Sequence, residues 1–184
     1  MLELIAVMFG VSLDAAVYMM RVGATVRSLT WKKRLSYSLI YTFVTFLAVV
    51  LAYGIAVLLD DTPFAGMKFM CAGIIILCMG IILVMKGFQR HDFEEKLDRT
   101  FSAKRMLKIA VITNLDMVVS CMSFAFIGTS FPMMVITACA MSFIITLAFL
   151  TIGYTSGAPY QKAVSICGGV LMAVFGILML VRSF

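Results

Sequence analysis

The chain has 184 residues, of which 63% are hydrophobic and 13% charged, and carries a net charge of +6. A soluble domain is ordinarily about 45–50% apolar and about 25% charged, so this composition excludes an ordinary water-soluble fold. It puts most of the chain in lipid, where the backbone must satisfy its own hydrogen bonds as helices or a closed barrel. The apolar runs are long and continuous rather than alternating, which selects helices. The expected fold class is an all-α integral membrane protein with six transmembrane helices, arranged as two inverted three-helix repeats.

The first helix is expected over 2–26. Its start does not read as a cleavable signal peptide, because a basic n-region is missing and Glu3 and Asp14 interrupt the apolar stretch. Arg27, Lys32, Lys33 and Arg34 then form a short basic loop. The second helix is expected over 35–59 and is stopped by Asp60-Asp61-Thr62-Pro63. The third follows over 64–88. Between 89 and 105 lies the long polar segment, where Phe93, Leu97 and Phe101 recur every fourth residue. That spacing predicts a short amphipathic helix at the membrane surface. The fourth helix is expected over 106–127, the fifth over 133–154 after a tight Gly128–Pro132 connection, and the sixth over 163–181 after Gly157-Ala158-Pro159.

These segments read as one membrane domain, 1–184, composed of repeat one (1–88), a cytoplasmic linker (89–105) and repeat two (106–184). The repeat is visible in matched words. Ser12-Leu13-Asp14 matches Asn114-Leu115-Asp116. Cys71-Ala72-Gly73, Gly80-Ile81, Lys86 and Phe88 recur at the same spacings as Cys167-Gly168-Gly169, Gly176-Ile177, Arg182 and Phe184. Three crossings are an odd number, so the second copy is inverted, as in many transporters. Basic residues follow the first and third helices, and Lys162 follows the fifth. By the positive-inside rule those loops are cytoplasmic and both termini face outward. The positive charge is read as topology and headgroup contact, with no nucleic-acid partner.

Asp14 and Asp116 stand at the centres of apolar runs. An ionised Asp at the centre of a spanning helix costs about 2.5–3.5 kcal/mol on insertion scales, so such residues are usually functional. Two facing carboxylates in a low dielectric cannot both stay ionised without a counter-charge. A divalent cation would neutralise both, and protons would do so when the metal leaves. Ser12 and Asn114 add oxygen donors two residues before each acid, and a locally unwound turn would add carbonyls. Such a site suits hard ions such as Mn²⁺, Mg²⁺ or Ca²⁺. The candidate metal site is therefore Asp14, Asp116, Asn114 and Ser12, with the ion as cargo and no resident cofactor. The competing reading is a protonated, hydrogen-bonded pair that fixes helix packing, with Ser12 and Asn114 merely back-bonding.

Other polar groups give weaker signals. Arg21, two turns after Asp14, is a candidate counter-ion or a headgroup-seeking side chain. Thr42, Thr45, Ser142 and Thr146 could line a polar path or bond their own helices. Cys71, Cys78, Cys121, Cys139 and Cys167 all lie in apolar runs and read as small buried hydrophobes. The sixteen methionines read mainly as core filler. Gly66, Gly73, Gly80 and Gly87 recur every seventh residue and mark a face for close helix approach. His91 reads as solvated.

These residues resemble a known family. Gly10-Val11-Ser12-Leu13-Asp14-Ala15, followed by Gly23-Ala24, resembles the first signature of the manganese-efflux pumps of the MntP type. Thr113-Asn114-Leu115-Asp116 with Ala125-Phe126 resembles their fourth-helix signature, and Gly168-Gly169 with Gly176 is similar to their last helix. The resemblance implies Mn²⁺ export across the bacterial inner (cytoplasmic) membrane, with Asp14 and Asp116 as the metal-pathway acids. The chain departs from the family at Thr45, where a Glu is usual, at Val49, where a Pro is usual, and at Arg21, which stands about one position early. The alternatives are a same-fold transporter for another metal or a small organic solute, which Tyr18, Phe43 and Phe46 could cradle, a membrane scaffold, and an intramembrane aspartyl protease. The last lacks its Y-D and G-x-G-D words here. Oligomeric state stays open, a homodimer being one option.

Overall fold

The computed structural model describes residues 2–26, 30–60, 68–89, 103–157 and 160–183. Among them are six helices: α1 (Leu2–Thr25), α2 (Trp31–Asp60), α3 (Lys68–Gln89), α4 (Ala103–Phe126), α5 (Phe131–Ser156) and α6 (Gln161–Ser183). All except α3 are long and apolar enough to cross a bilayer, and α3 contributes a shorter apolar stretch, Met70–Lys86. The surface helix expected between α3 and α4, with His91, lies outside the described residues. So do Asp61-Thr62-Pro63 and Gly66.

One boundary moves in an instructive way. Lys32, Lys33 and Arg34 belong to the first turn of α2 and not to a loop. A helix of 30 residues is about 45 Å long, against about 30 Å of hydrocarbon, so its basic first turn can stand beyond the apolar layer. Arg34 is also tied to α5: its guanidinium lies over the Tyr154 ring, 4.9 Å from the centroid, and donates to Thr151 Oγ1 at 3.5 Å.

The expected turn between α4 and α5 is present and its chemistry is clear. Gly128 has φ +82°, Gly128 N donates to Ala125 O, and Thr129 N donates to Phe124 O. This is a Schellman ending, which needs a left-handed residue and so a glycine. Pro132 then enters α5 in its first turn, where a missing N–H leaves no bond unmade.

α1 is the central helix. In its membrane-length window 72% of the residues are buried, against 33% in α5 and α6. It packs against α4, α5 and α6, while α3 packs most extensively on α6, α2 lies against α4 and α5, and α3 also meets α4. Glycines set these approaches. A Cβ at Gly23 would strike Leu150 O, and one at Gly153 would strike Met20 O, so α1 and α5 touch backbone to backbone. Gly80 and Gly169 do the same for α3 and α6, and Gly10 and Gly168 for α1 and α6. Lipid provides no hydrophobic drive for helix association, so close packing of small residues has to supply it. The outer faces of α2 and α4 expose Leu39, Phe43, Leu47, Leu107, Val111 and Leu115, as a lipid-solvated bundle requires.

Gly153→Ala is expected to lower stability by about 1–3 kcal/mol, because the added methyl meets a carbonyl that cannot move aside. Gly54 has open space within 4 Å. Gly54→Ala is therefore expected to raise stability by about 0.4–1 kcal/mol. Thermal unfolding in detergent, followed by circular dichroism, reads both.

Candidate functional site

Asp14 lies near the middle of α1 and Asp116 near the middle of α4, and the two helices are in contact. Asp14 is buried, with 3% of its surface exposed. Asp116 is half-buried, its side chain 28% exposed. A third charged group joins them. Lys86 on α3 donates from Nζ to Asp116 Oδ2 at 3.1 Å, and the same Nζ lies 4.0 Å from Asp14 Oδ2. The two acids are therefore brought together, within reach of a single ammonium.

α6 holds this arrangement in place. Ser165, fully buried, donates from Oγ to Leu83 O at 3.2 Å, about one turn before Lys86. Gly80 and Gly169 fix the α3–α6 approach. On its other side α6 presents Gly168 to Gly10 and Leu13 of α1, next to Asp14. One helix thus indexes the lysine against the first carboxylate. Lys86 is only half-buried, its side chain 39% exposed.

Ser12 and Asn114 are both buried, at 2% exposed. They make equivalent bonds. Ser12 Oγ donates to Met8 O at 2.7 Å, and Asn114 Nδ2 donates to Ala110 O at 2.8 Å, each four residues back. Back-bonding is thus what both side chains do, and the helices run unbroken through both words rather than unwinding. Asn114 Oδ1 is nonetheless buried without a hydrogen-bond partner. It is an oxygen acceptor with unused capacity, two residues before Asp116. Among the described residues no group of three or more His, Cys, Asp or Glu side chains converges. The available donors are two carboxylates and neutral oxygens, which is a set for a hard cation.

Further candidates divide. Thr45 is fully buried and donates to Tyr41 O, and Thr42 donates to Ser38 O, so both bond their own helix. Ser142 and Thr146 are buried with unpartnered hydroxyls. Arg21 Nε donates to Gln161 Oε1, tying α1 to the start of α6. Phe43 and Phe46 are 62% and 39% exposed, so they face outward and not towards the acids. Phe43 lines an apolar groove between α2 and α4, about 290 Å³ in volume, that Asn114 also borders. The cysteines are free, and Cys71, Cys78 and Cys167 lie on the outer surface and not inside it.

The residue that sequence reasoning missed is Lys86. It was legible only as the basic end of the third apolar run and as one match in the repeat. A cation on the last turn of a span usually reads as a headgroup anchor. Run length carries no signal for it, since the third apolar run, 64–88, is as long as the first two.

A family model described as "Putative manganese efflux pump" (Mntp) matches residues 28–180. That stretch includes Lys86, Asn114 and Asp116, while Ser12 and Asp14 precede it. The "Putative manganese efflux pump MntP" of Bifidobacterium longum subsp. infantis is 33% identical over 82 residues, 45% of this chain and 43% of that protein. The protein of the same description from Clostridium perfringens is 29% identical over 94 residues, 51% of this chain and 44% of its own length. The matched chain spans less than half the length of each relative. No solved structure matches.

The bond between Tyr41 and Thr113 fixes the second acidic word against α2. Thr113 Oγ1 donates to Ile109 O at 2.9 Å, so the 3.2 Å contact with Tyr41 is donated by the tyrosine. Thr113→Val leaves the buried Tyr41 hydroxyl unpartnered and should cost about 1–3 kcal/mol. Tyr41→Phe should cost less, about 0.5–1.5 kcal/mol. Adding it to Thr113→Val should cost less than the sum, as a double-mutant cycle on thermal unfolding will read.

Proposed function

The chain belongs to the Mntp family of efflux pumps, and from that premise we propose that it exports a divalent metal cation, Mn²⁺ foremost, through the Asp14–Asp116 pair. The observation that carries the proposal is that matched positions of two helices bring two carboxylates to one point, with a cation between them. Buried Asn114 Oδ1 and the Ser12 hydroxyl would complete an oxygen site as the ion enters. The family is one of transporters, which sets aside the aspartyl protease.

The transport mechanism we propose uses two inverted repeats. The packing supports this. Exchanging α1 with α4, α2 with α5 and α3 with α6 converts the α1–α5 contact into α4–α2 and the α1–α6 contact into α4–α3. The α3–α6, α1–α4 and α2–α5 contacts map onto themselves. The equivalent back-bonds of Ser12 and Asn114 obey the same exchange. Cargo at the junction of such repeats can be reached from either side in turn. α3 would be the sixth span, and the charge distribution favours a multi-pass protein of the bacterial inner membrane with both termini outside. As the metal leaves, protons taken up in exchange would help neutralise the pair.

Purified protein in liposomes, tested with Mn²⁺, Zn²⁺, Mg²⁺ and Ca²⁺ across a pH gradient, checks this. Flux should be greatest for Mn²⁺ and should fall at least about tenfold in Asp14→Asn and in Asp116→Asn. Collapsing the pH gradient should slow it. Undiminished flux in both variants removes the proposal, and flux indifferent to the gradient removes its proton exchange.

A further inference from the structure

We propose that Lys86 is a tethered counter-ion that occupies the carboxylate pair of the emptied carrier, is displaced by arriving cargo, and thereby selects divalent over monovalent cations. This rests on the metal-export reading of the pair. Its starting point is geometric: one Nζ stands 3.1 Å from Asp116 Oδ2 and 4.0 Å from Asp14 Oδ2, between the two groups a metal would bridge. A cation held by both carboxylates needs the space that the ammonium fills. The two cannot share it, because three positive charges would face two negative ones at contact distance.

The lysine is built to leave. Its backbone is fixed, since Gly80 is pressed on α6 and Leu83 O is held by Ser165. Its side chain is half exposed. The four-carbon stem lets the ammonium swing while α3 stays in place, which the rigid fork of an arginine would do less readily. Asp116 is the more exposed acid and holds the shorter of the two contacts, so exchange begins there. Asp14 is buried and stands farther from Nζ.

Charge then decides what can replace the lysine. The ammonium brings one positive charge to two carboxylates. A monovalent ion would do no better than the group it evicts, and it lacks the tether's high effective concentration. A divalent ion neutralises both acids and so gains where the monovalent ion does not. Lys86 thus raises the apparent KM for all cations and excludes those of single charge. The same tethered competitor speeds release, because it refills the pair as the metal departs. An ammonium that occupies the pair nine-tenths of the time would weaken apparent binding about tenfold.

The test is Mn²⁺ efflux from liposomes containing wild type, Lys86→Gln or Lys86→Arg, in KCl or in choline chloride of equal strength. Lys86→Gln should lower the KM up to about tenfold, lower the maximal rate, and make flux sensitive to K⁺ relative to choline, while wild type stays indifferent. Lys86→Arg should stay indifferent to K⁺ and raise the KM, because a guanidinium grips carboxylates more firmly. Should the glutamine variant fail to fold, the arginine variant decides alone: an unchanged or lower KM overturns the proposal. A folded Lys86→Gln protein with wild-type KM, or with a raised KM and no K⁺ sensitivity, overturns it too. A wild type that moves no Mn²⁺ sinks the export reading itself. Wild-type flux lost in Asp14→Asn alongside an unaltered Lys86→Gln sinks only the role of the lysine.

Discussion

Two carboxylates share an apolar bundle with one ammonium, and this electrostatic arrangement constrains everything around it. Asp14 is almost fully buried, and an isolated ionised acid there would be strongly disfavoured. Lys86 helps to make it tolerable because α3 carries the ammonium to the middle of α1 and α4. The dense packing of α3 on α6 serves that placement. Removing the lysine would leave two carboxylates facing each other without it, which couples the three residues.

Glycine supplies the other half of the explanation. The contacts that fix depth and register are backbone against backbone: Gly23 with Gly153, Gly80 with Gly169, Gly10 with Gly168. Each joins a helix that carries one of the three charged residues to a neighbouring helix. Loose packing at any of them would let α3 slide along α6 or α1 along α5, and a 3.1 Å contact does not survive such a slide. In lipid, the electrostatics of the site and the fit of small residues are therefore one design problem.

Much of this was legible beforehand. Long apolar runs and Gly and Pro punctuation located six helices, and the paired acidic words located Asp14 and Asp116, because rare charges in spans stand out against their surroundings. What was not legible depends on depth and direction. Whether α2 begins before or after its basic residues depends on how far a helix projects past the apolar layer. Phe43 and Phe46 face outward because side-chain direction follows from the packing partner, which spacing alone does not name. Ser12 and Asn114 keep their helices intact because each hydroxyl or amide finds a carbonyl four residues back. Lys86 stayed hidden because its contacts with Asp14 and Asp116 arise from the relative heights of three helices.

The two halves are matched in sequence and in back-bonding, yet not in exposure. Asp14 is sealed while Asp116 remains partly open, and the lysine leans towards the open one. Equivalent surroundings would have given equal exposure, so α1 is packed more tightly around its acid than α4 is. For a carrier of the kind proposed, that inequality is the expected condition of any single resting state. A site equally open on both sides would leak, and one equally closed would hold its cargo. In such a carrier, transport would depend less on the two acids being alike than on their taking different surroundings in turn.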